Sequence, residues 1–368
     1  RSNMQILLNL FHENSSRLED VRNDISSSLS NTDVAGVNDI LENIASLNKS
    51  IKNSQILGNP ALELQDQRND LIDQLASYLP ITVKYRDEEV GPGQFVEVLD
   101  VHFTASDGSK YTLISDSDFG HLDTGITDGL ASLSITDASG NSFAGMEDLL
   151  GNGTLKGMFD ILNKSGEFDK PASTIKGLGY YETSLNSLVK TFAEKFNEMN
   201  KAPDGTARPL FEKIDPNADW SAENIKIADG WANGSYGITA SKNEVGGDIG
   251  STANENIIAM IKALEDSQSF KGGEHDTEFF NGSFYDCFAN IESTLAIDLK
   301  STKTLLSNHI SIVQQTANSR DGVSGVQLDE EGMNLMHYNQ SYSAAARLMT
   351  TLDEALDTLI NKTGVVGR

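Results

Sequence analysis

A chain of 368 residues with 28 Lys and Arg against 54 Asp and Glu carries a formal charge of −26, an excess that repels phosphate backbones and anionic head groups and so excludes nucleic acid and membrane surfaces as partners. Its single cysteine, Cys287, rules out an intrachain disulfide and a cysteine-based metal cluster. A hydrophobic share of 38% supports a sizeable core spread over two or three domains, no apolar run approaches the roughly 20 residues of a spanning helix, and Arg1 is not expected to open a signal peptide.

The first fifty residues have helical spacing. Met4, Leu7, Phe11, Asn14, Leu18, Val21 and Ile25 step by three and four along one stripe. The stripe restarts at Val37, Ile40, Ile44, Leu47 and Ile51 after a phase slip around Asn31–Gly36. That pattern predicts either one long helix with a defect or two helices end to end. Asn59-Pro60 marks a turn, and Leu64, Leu71, Leu75 and Leu79 form the next stripe, which ends at Pro80 because proline lacks the amide donor.

The character then changes. Ile81–Tyr85, Phe95–Val101, Tyr111–Ser115 and Leu130–Ile135 are short β-branched or aromatic runs. Turn chemistry separates them: Gly-Pro-Gly at 91–93, Ser-Asp-Gly at 106–108 and Thr-Asp-Gly at 127–129. An antiparallel β domain ending near Ser173 is expected, with Leu155–Leu162 fitting either element type. Helix returns from Leu178 to Met199. The Gly-, Asn-, Asp- and Ser-rich stretch 203–255 offers only brief strand-like pieces such as Tyr236–Ala240. A short helix is expected over Asn256–Leu264. A longer one runs from Phe284 to about Ser319, with Phe284, Phe288, Ile291 and Leu295 facing inward and a more polar second half.

The clearest pattern lies near the end. Leu335, Tyr338, Tyr342, Ala345, Met349, Leu352, Leu356 and Leu359 alternate steps of three and four over four heptads. Such a seam needs partner helices to cover it, or else it is an ordinary amphipathic face on the chain's own core. The position at the end of the chain favours the coiled coil. The fold class is therefore α+β: a discontinuous helical bundle (1–80 and 174–327), an inserted antiparallel β domain (81–173), and a C-terminal coiled-coil helix (328–368).

Catalytic patterns are missing. The six histidines lack metal-binding spacing, and His12-Glu13 has Ser16 where a zinc-protease helix needs its second His. Asp137–Asn141 hints at a calcium loop but has Ser142 at the glycine position. Gly322–Gly325 has Val326 in place of the closing glycine of a nucleophile elbow. Asp66, Arg68 and Asp70 suit a solvated, ion-paired helix face, and Cys287 beside Phe284 and Phe288 suits a packed core thiol. No catalytic, metal or cofactor site is expected, and no enzyme.

The tail from Ser324-Gly-Val-Gln-Leu-Asp-Glu-Glu through Tyr342-Ser-Ala-Ala-Ala-Arg347 to Gly364-Val-Val-Gly-Arg368 resembles the C-terminus of flagellar axial proteins. Leu64–Ala76, Phe192–Asn200 and Pro209-Leu-Phe211 are similar to internal elements of the hook-associated protein 1 family, as is the Ser-Gly-Val start of the tail. The likeness covers most of 1–80 and 174–368, whereas the β insert matches only in position and size. Members of that family begin with a further helical stretch bearing an Asn-x-Asn-x-x-Gly-Tyr segment, so this chain is expected to start inside their first outer-layer helical region.

The resemblance implies a flagellin-like core and a structural adaptor joining hook to filament. It further implies a self-associating ring of copies, exported unfolded by the flagellar type III route to the cell exterior without a cleavable signal peptide. The implied partners are hook protein, a second hook-associated junction protein, and an export chaperone on the C-terminal helix. A chain without crosslinks suits threading through a narrow channel. The alternatives are a flagellin-like filament subunit and, in another class, a helical adhesin or sensor ectodomain.

Overall fold

The computed structural model describes residues 1–242, 253–324 and 328–357. Its first compact unit is Arg1–Ser293 and its second is Thr294–Arg368.

The predicted long helix is present, and its defect has a definite form. Helix α1 (Ser2–Ser28) passes through a π-helical segment, Leu29–Val34, directly into α2 (Ala35–Ile56). Leu29 and Val34 are both buried although five positions separate them. Five-residue spacing falls on one face only where the i→i+5 hydrogen bond replaces i→i+4, so the phase slip in the sequence is a π segment. In α1 the expected stripe holds at buried Phe11 and partly buried Met4, Leu7, Leu18 and Ile25, but Val21 is exposed and the buried position there belongs to Arg22. Helix α3 (Leu62–Tyr78) returns along α2 and stops before Pro80 as expected.

Seven strands follow: β1 (Ile81–Gly91), β2 (Gln94–Thr104), β3 (Lys110–Ser115), β4 (Asp118–Phe119), β5 (His121–Thr127), β6 (Leu130–Thr136) and β7 (Ser142–Ala144). All pairings are antiparallel, in one sheet ordered β1-β2-β3-β4 and another ordered β5-β6-β7. The ambiguous 155–162 region is helix α4 (Thr154–Asn163). Strand β5 lacks a sequence signal because only Leu122 of its seven side chains is buried. The strands do not keep their apolar faces to themselves. Ile40, Ile44 and Leu75 from the helices, Phe103, Leu113 and Ile135 from both sheets, and Phe159 from α4 belong to one hydrophobic cluster.

A second cluster gathers on α5 (Leu178–Met199), where Phe192 and Phe196 meet Phe211, Trp231, Phe270 and Phe284. Into it feed the short pair β8 (Phe211–Glu212) and β9 (Lys226–Ile227), the single turn α6 (Asp229–Ala232), and α7 (Glu255–Glu265). A hairpin of β10 (Gln268–Gly272) and β11 (Thr277–Gly282) completes the group. Its strands are too short and too half-exposed to show a period in the sequence. The strand-like Tyr236–Ala240 is not a strand. Asparagine side chains hold it instead: Asn200 Oδ1 accepts from Thr239 N at 2.8 Å, and Asn256 Nδ2 donates to the Thr239 carbonyl at 2.6 Å.

Helix α8 (Phe284–Ser324) begins in this core, with Phe284 and Cys287 buried and Phe288 and Ile291 partly so. Leu295, expected inward, is exposed. The helical core was expected to extend to 327, whereas the compact unit ends at Ser293, and the described α8 side chains from Leu299 to Arg320 are all exposed. Helix α9 (Leu328–Asp357) lies in the second unit.

Candidate assembly surface

The seam positions all fall within α9 except Leu359, which lies outside the described residues. A helix of 30 residues is about 45 Å long, so the seam is an extended ridge. Leu335, Tyr338, Tyr342, Met349, Leu352 and Leu356 leave between 51% and 77% of their surface open, and Ala345 is exposed as well.

Helix α8 adds a feature that its mixed composition hides. Leu299, Leu306 and Val313 recur every seven residues with Ile310 between, and all four are exposed. Every described side chain from Leu299 to Arg320 and from Asp329 to Asp357 is exposed, so neither helix covers the other's apolar side chains. The intervening lysines and serines obscure this heptad, which is why the sequence shows only a more polar second half. Bare leucines at heptad spacing on two helices make a surface suited to helix packing, not to binding a small molecule.

The chemical candidates resolve into structural roles. His12 Nε2 donates to the Ile225 carbonyl at 2.9 Å. Asp137 folds its own turn, with Oδ1 accepting from Ser139 N at 2.9 Å and Asn141 N at 2.8 Å. Burial alone would raise its carboxyl, but hydrogen bonds from Asn141, Ser139 and Gly140 more than offset this and hold it below the usual carboxylate range. The helix face of Asp66, Arg68 and Asp70 is split: both acids are exposed while Arg68 is buried. Its guanidinium donates to Asn48 Oδ1 at 3.1 Å and to Glu97 at 3.4 Å. The Cys287 thiol is pushed up to about 12 by burial, which makes it an inert core group. Gly325 and Val326 of the elbow-like stretch lie outside the described residues. Among the described residues no group of three His, Cys, Asp or Glu is placed to hold a metal ion, and no helix is long and apolar enough to cross a membrane.

A polar cleft of about 390 Å³ opens between α1, the β5–β6 turn and α5, lined by Glu19, Arg22, Asp128, Glu182 and Glu223. Arg22 Nη1 donates to the Gly129 carbonyl at 2.5 Å, and Nη2 donates to Glu182 Oε2 at 2.6 Å. The arginine ties three elements together and leaves no free donor array aimed at a ligand.

The model for the flagellar hook-associated protein FlgK helical domain matches residues 1–206, more than half of the chain. The chain belongs to the flagellar hook-associated protein FlgK family. Residues 322–362, which include the seam, match the flagellar basal body rod FlgEFG protein C-terminal model. The flagellar hook-associated protein 1 of Bacillus subtilis is 28% identical over 396 aligned residues, covering 99% of this chain and 71% of that protein. The protein of the same name from Escherichia coli is 31% identical over 114 residues, which is 31% of this chain and 19% of that one. A solved structure of the flagellar hook junction protein FlgK from Burkholderia pseudomallei matches with a TM-score of 0.43 and 19% identity, over 58% of this chain and 35% of that one. As a FlgK-family member the chain is a structural protein of the bacterial flagellum with a role at the hook–filament junction. It therefore acts outside the cell and associates with hook and other flagellar components.

Proposed function

We propose that the chain is a non-enzymatic adaptor that joins hook to filament as a ring of helically packed copies, reaching its place unfolded through the flagellar type III route without a cleavable signal peptide. The working parts follow the chain pattern. Residues 1–80 and 174–293 carry the helical core, with 81–173 inserted as the β part, and 328–368 carry the assembly seam. The observation that carries the reading is the bare seam from Leu335 to Leu356. Burying a large apolar side chain contributes roughly 1.5–3 kcal/mol, while association costs about 4–15 kcal/mol. The seven large side chains of the seam together contribute roughly 10–21 kcal/mol, which offsets a cost of that size once neighbouring helices cover them. The implied neighbours are further copies, hook protein and a second hook-associated junction protein. Before export a chaperone on the same helix would keep the seam from aggregating.

The test is the double substitution Leu352→Asp with Leu356→Asp. Junction assembly is expected to be lost, leaving hooks without filaments and flagellin in the medium, while the purified variant melts like the parent because both side chains are already exposed. Normal filaments on cells carrying the variant would overturn the reading.

A further inference from the structure

A second apolar surface lies far along the chain from the seam, where the end of α2 meets the β1–β2 hairpin. Leu57 and Leu62 straddle the α2–α3 turn and Phe95 sits beside the hairpin tip; they are 80%, 64% and 62% exposed, with Ile56 also open. Two side-chain amides hold the pieces in one place. Gln94 Nε2 donates to the Ile56 carbonyl at 3.0 Å, and Gln55 Oε1 accepts from Glu97 N at 3.1 Å. Folding has fixed these apolar groups to a rigid corner and left them uncovered, which is the usual mark of a contact surface.

The charge around the corner has one sign. Segments 53–66 and 87–97 carry Glu63, Asp66, Asp87, Glu88, Glu89 and Glu97 and not one Lys, Arg or His. The nearest bases are already engaged: Lys52 by Glu88 and Asp116, Arg86 by Asp100 and Glu88, and buried Arg68 by Asn48 and Glu97. Glu63, Asp66, Asp87 and Glu89 remain exposed around the leucines and the phenylalanine. Two such corners meeting face to face would stack like charges, in a chain whose total is already −26.

We infer that the Leu57–Leu62–Phe95 corner docks a chain other than this one, through an apolar surface flanked by Lys or Arg. The inference rests on the adaptor reading, since it names a contact with an unlike neighbour in the same assembly. Leu57 and Phe95 are the apolar anchors, and the carboxylates select partner and orientation.

The test places a benzophenone side chain at position 95, or in a second strain at 57, of the full chain in cells, and irradiates isolated hook–filament structures. A third strain carries the probe at 352. The expected product at 95 and 57 joins this chain to a different polypeptide, at a peptide with apolar residues flanked by Lys or Arg. It falls to background when the other corner position is Leu57→Ser or Phe95→Ser. A product joining two copies, a product at an acidic or uncharged peptide, or none at 95 and 57 despite crosslinking at 352, overturns the inference and leaves the adaptor reading intact. Absence of products at all three positions overturns both.

Discussion

Asn38 and Leu122 exchange two hydrogen bonds, the Asn38 amide donating to the Leu122 carbonyl at 2.9 Å and accepting from the Leu122 amide at 2.8 Å. A side chain of α2 thus plays the part of a strand along the outer edge of β5, an edge that would otherwise offer its peptide groups to other chains. Neighbouring Ser30 reinforces it by accepting from Thr124 Oγ1 at 2.9 Å. Asn38→Leu leaves both peptide groups of Leu122 unpaired next to the core. It is expected to lower stability by about 1–3 kcal/mol. Asn38→Asp, which keeps only the acceptor, should also destabilise, and Asn38→Gln should not rescue because its amide sits one methylene too far out. Urea denaturation of the three variants checks this, and a Leu variant as stable as the parent would refute the edge role.

The π segment makes a prediction about chain length. Leu29 and Val34 share a face because five residues separate them. Deleting exposed Asn31 reduces the spacing to four, which an ordinary α-helix places on one face. That deletion should therefore leave a folded protein with unbroken helix from Ser2 to Ile56 and undiminished helical circular dichroism. Deleting exposed Glu42 within α2 instead rotates Ile44, Ala45 and Ile51 out of the core and should unfold the unit. Equal damage from both deletions would mean that the π turn is not an absorbed insertion.

The same segment shows how far sequence reasoning reaches. Helix stripes and the Pro80 stop were legible because burial repeats at the helical period, and the slip at 31–36 was legible because that period broke. Where polar atoms do the holding, the period carries no information. Tyr236–Ala240 looks like a strand but is held by Asn200 and Asn256, and β5, whose outer edge is closed by Asn38, went unseen because only Leu122 of its side chains is buried. Arg22 and Arg68 were invisible as core residues, since an arginine is buried only where carbonyls, amides and carboxylates from distant segments converge on it. The α9 stripe is a pattern of side chains and not of partners, so its spacing is readable in the sequence, and its described positions from Leu335 to Leu356 lie on one helix.

Arg22 supplies the third prediction. Its guanidinium spans the Gly129 carbonyl in the β5–β6 turn and Glu182 on α5, and lies 3.4 Å from the Leu162 carbonyl. Arg22→Met removes every one of these bonds and leaves the Gly129 carbonyl and Glu182 without their donor. With Glu182 about a third open to water, a loss of about 2–3 kcal/mol is expected, below the full value for a buried pair. Arg22→Lys should recover less than half, because one ammonium does not reach a carbonyl and a carboxylate on separate elements with the planar fork of arginine. Thermal unfolding of the two variants decides it, and full rescue by lysine would reduce the contact to charge alone.

Lys52 links the helices to the sheet through charge, donating to Asp116 at 2.7 Å and to both oxygens of Glu88 at 3.1 Å. The hydrogen bond it donates to Asp116, opposed by burial and aided by Glu88, raises the ammonium above its ordinary 10.5. A lysine whose folded value exceeds its unfolded one stabilises fully below 10.5 and loses that contribution as pH climbs through the folded value. Lys52→Met should therefore be less stable than the parent at neutral pH, with the gap constant up to about pH 10 and shrinking above it. Comparing parent and variant at each pH cancels the titration of the remaining lysines and tyrosines, which both proteins share. Denaturant midpoints measured from about pH 8 to about pH 11.5 provide the curve. A gap that holds steady or widens across that window would show that packing of the Lys52 stem, and not its charge on Asp116 and Glu88, is what joins α2 to the sheet.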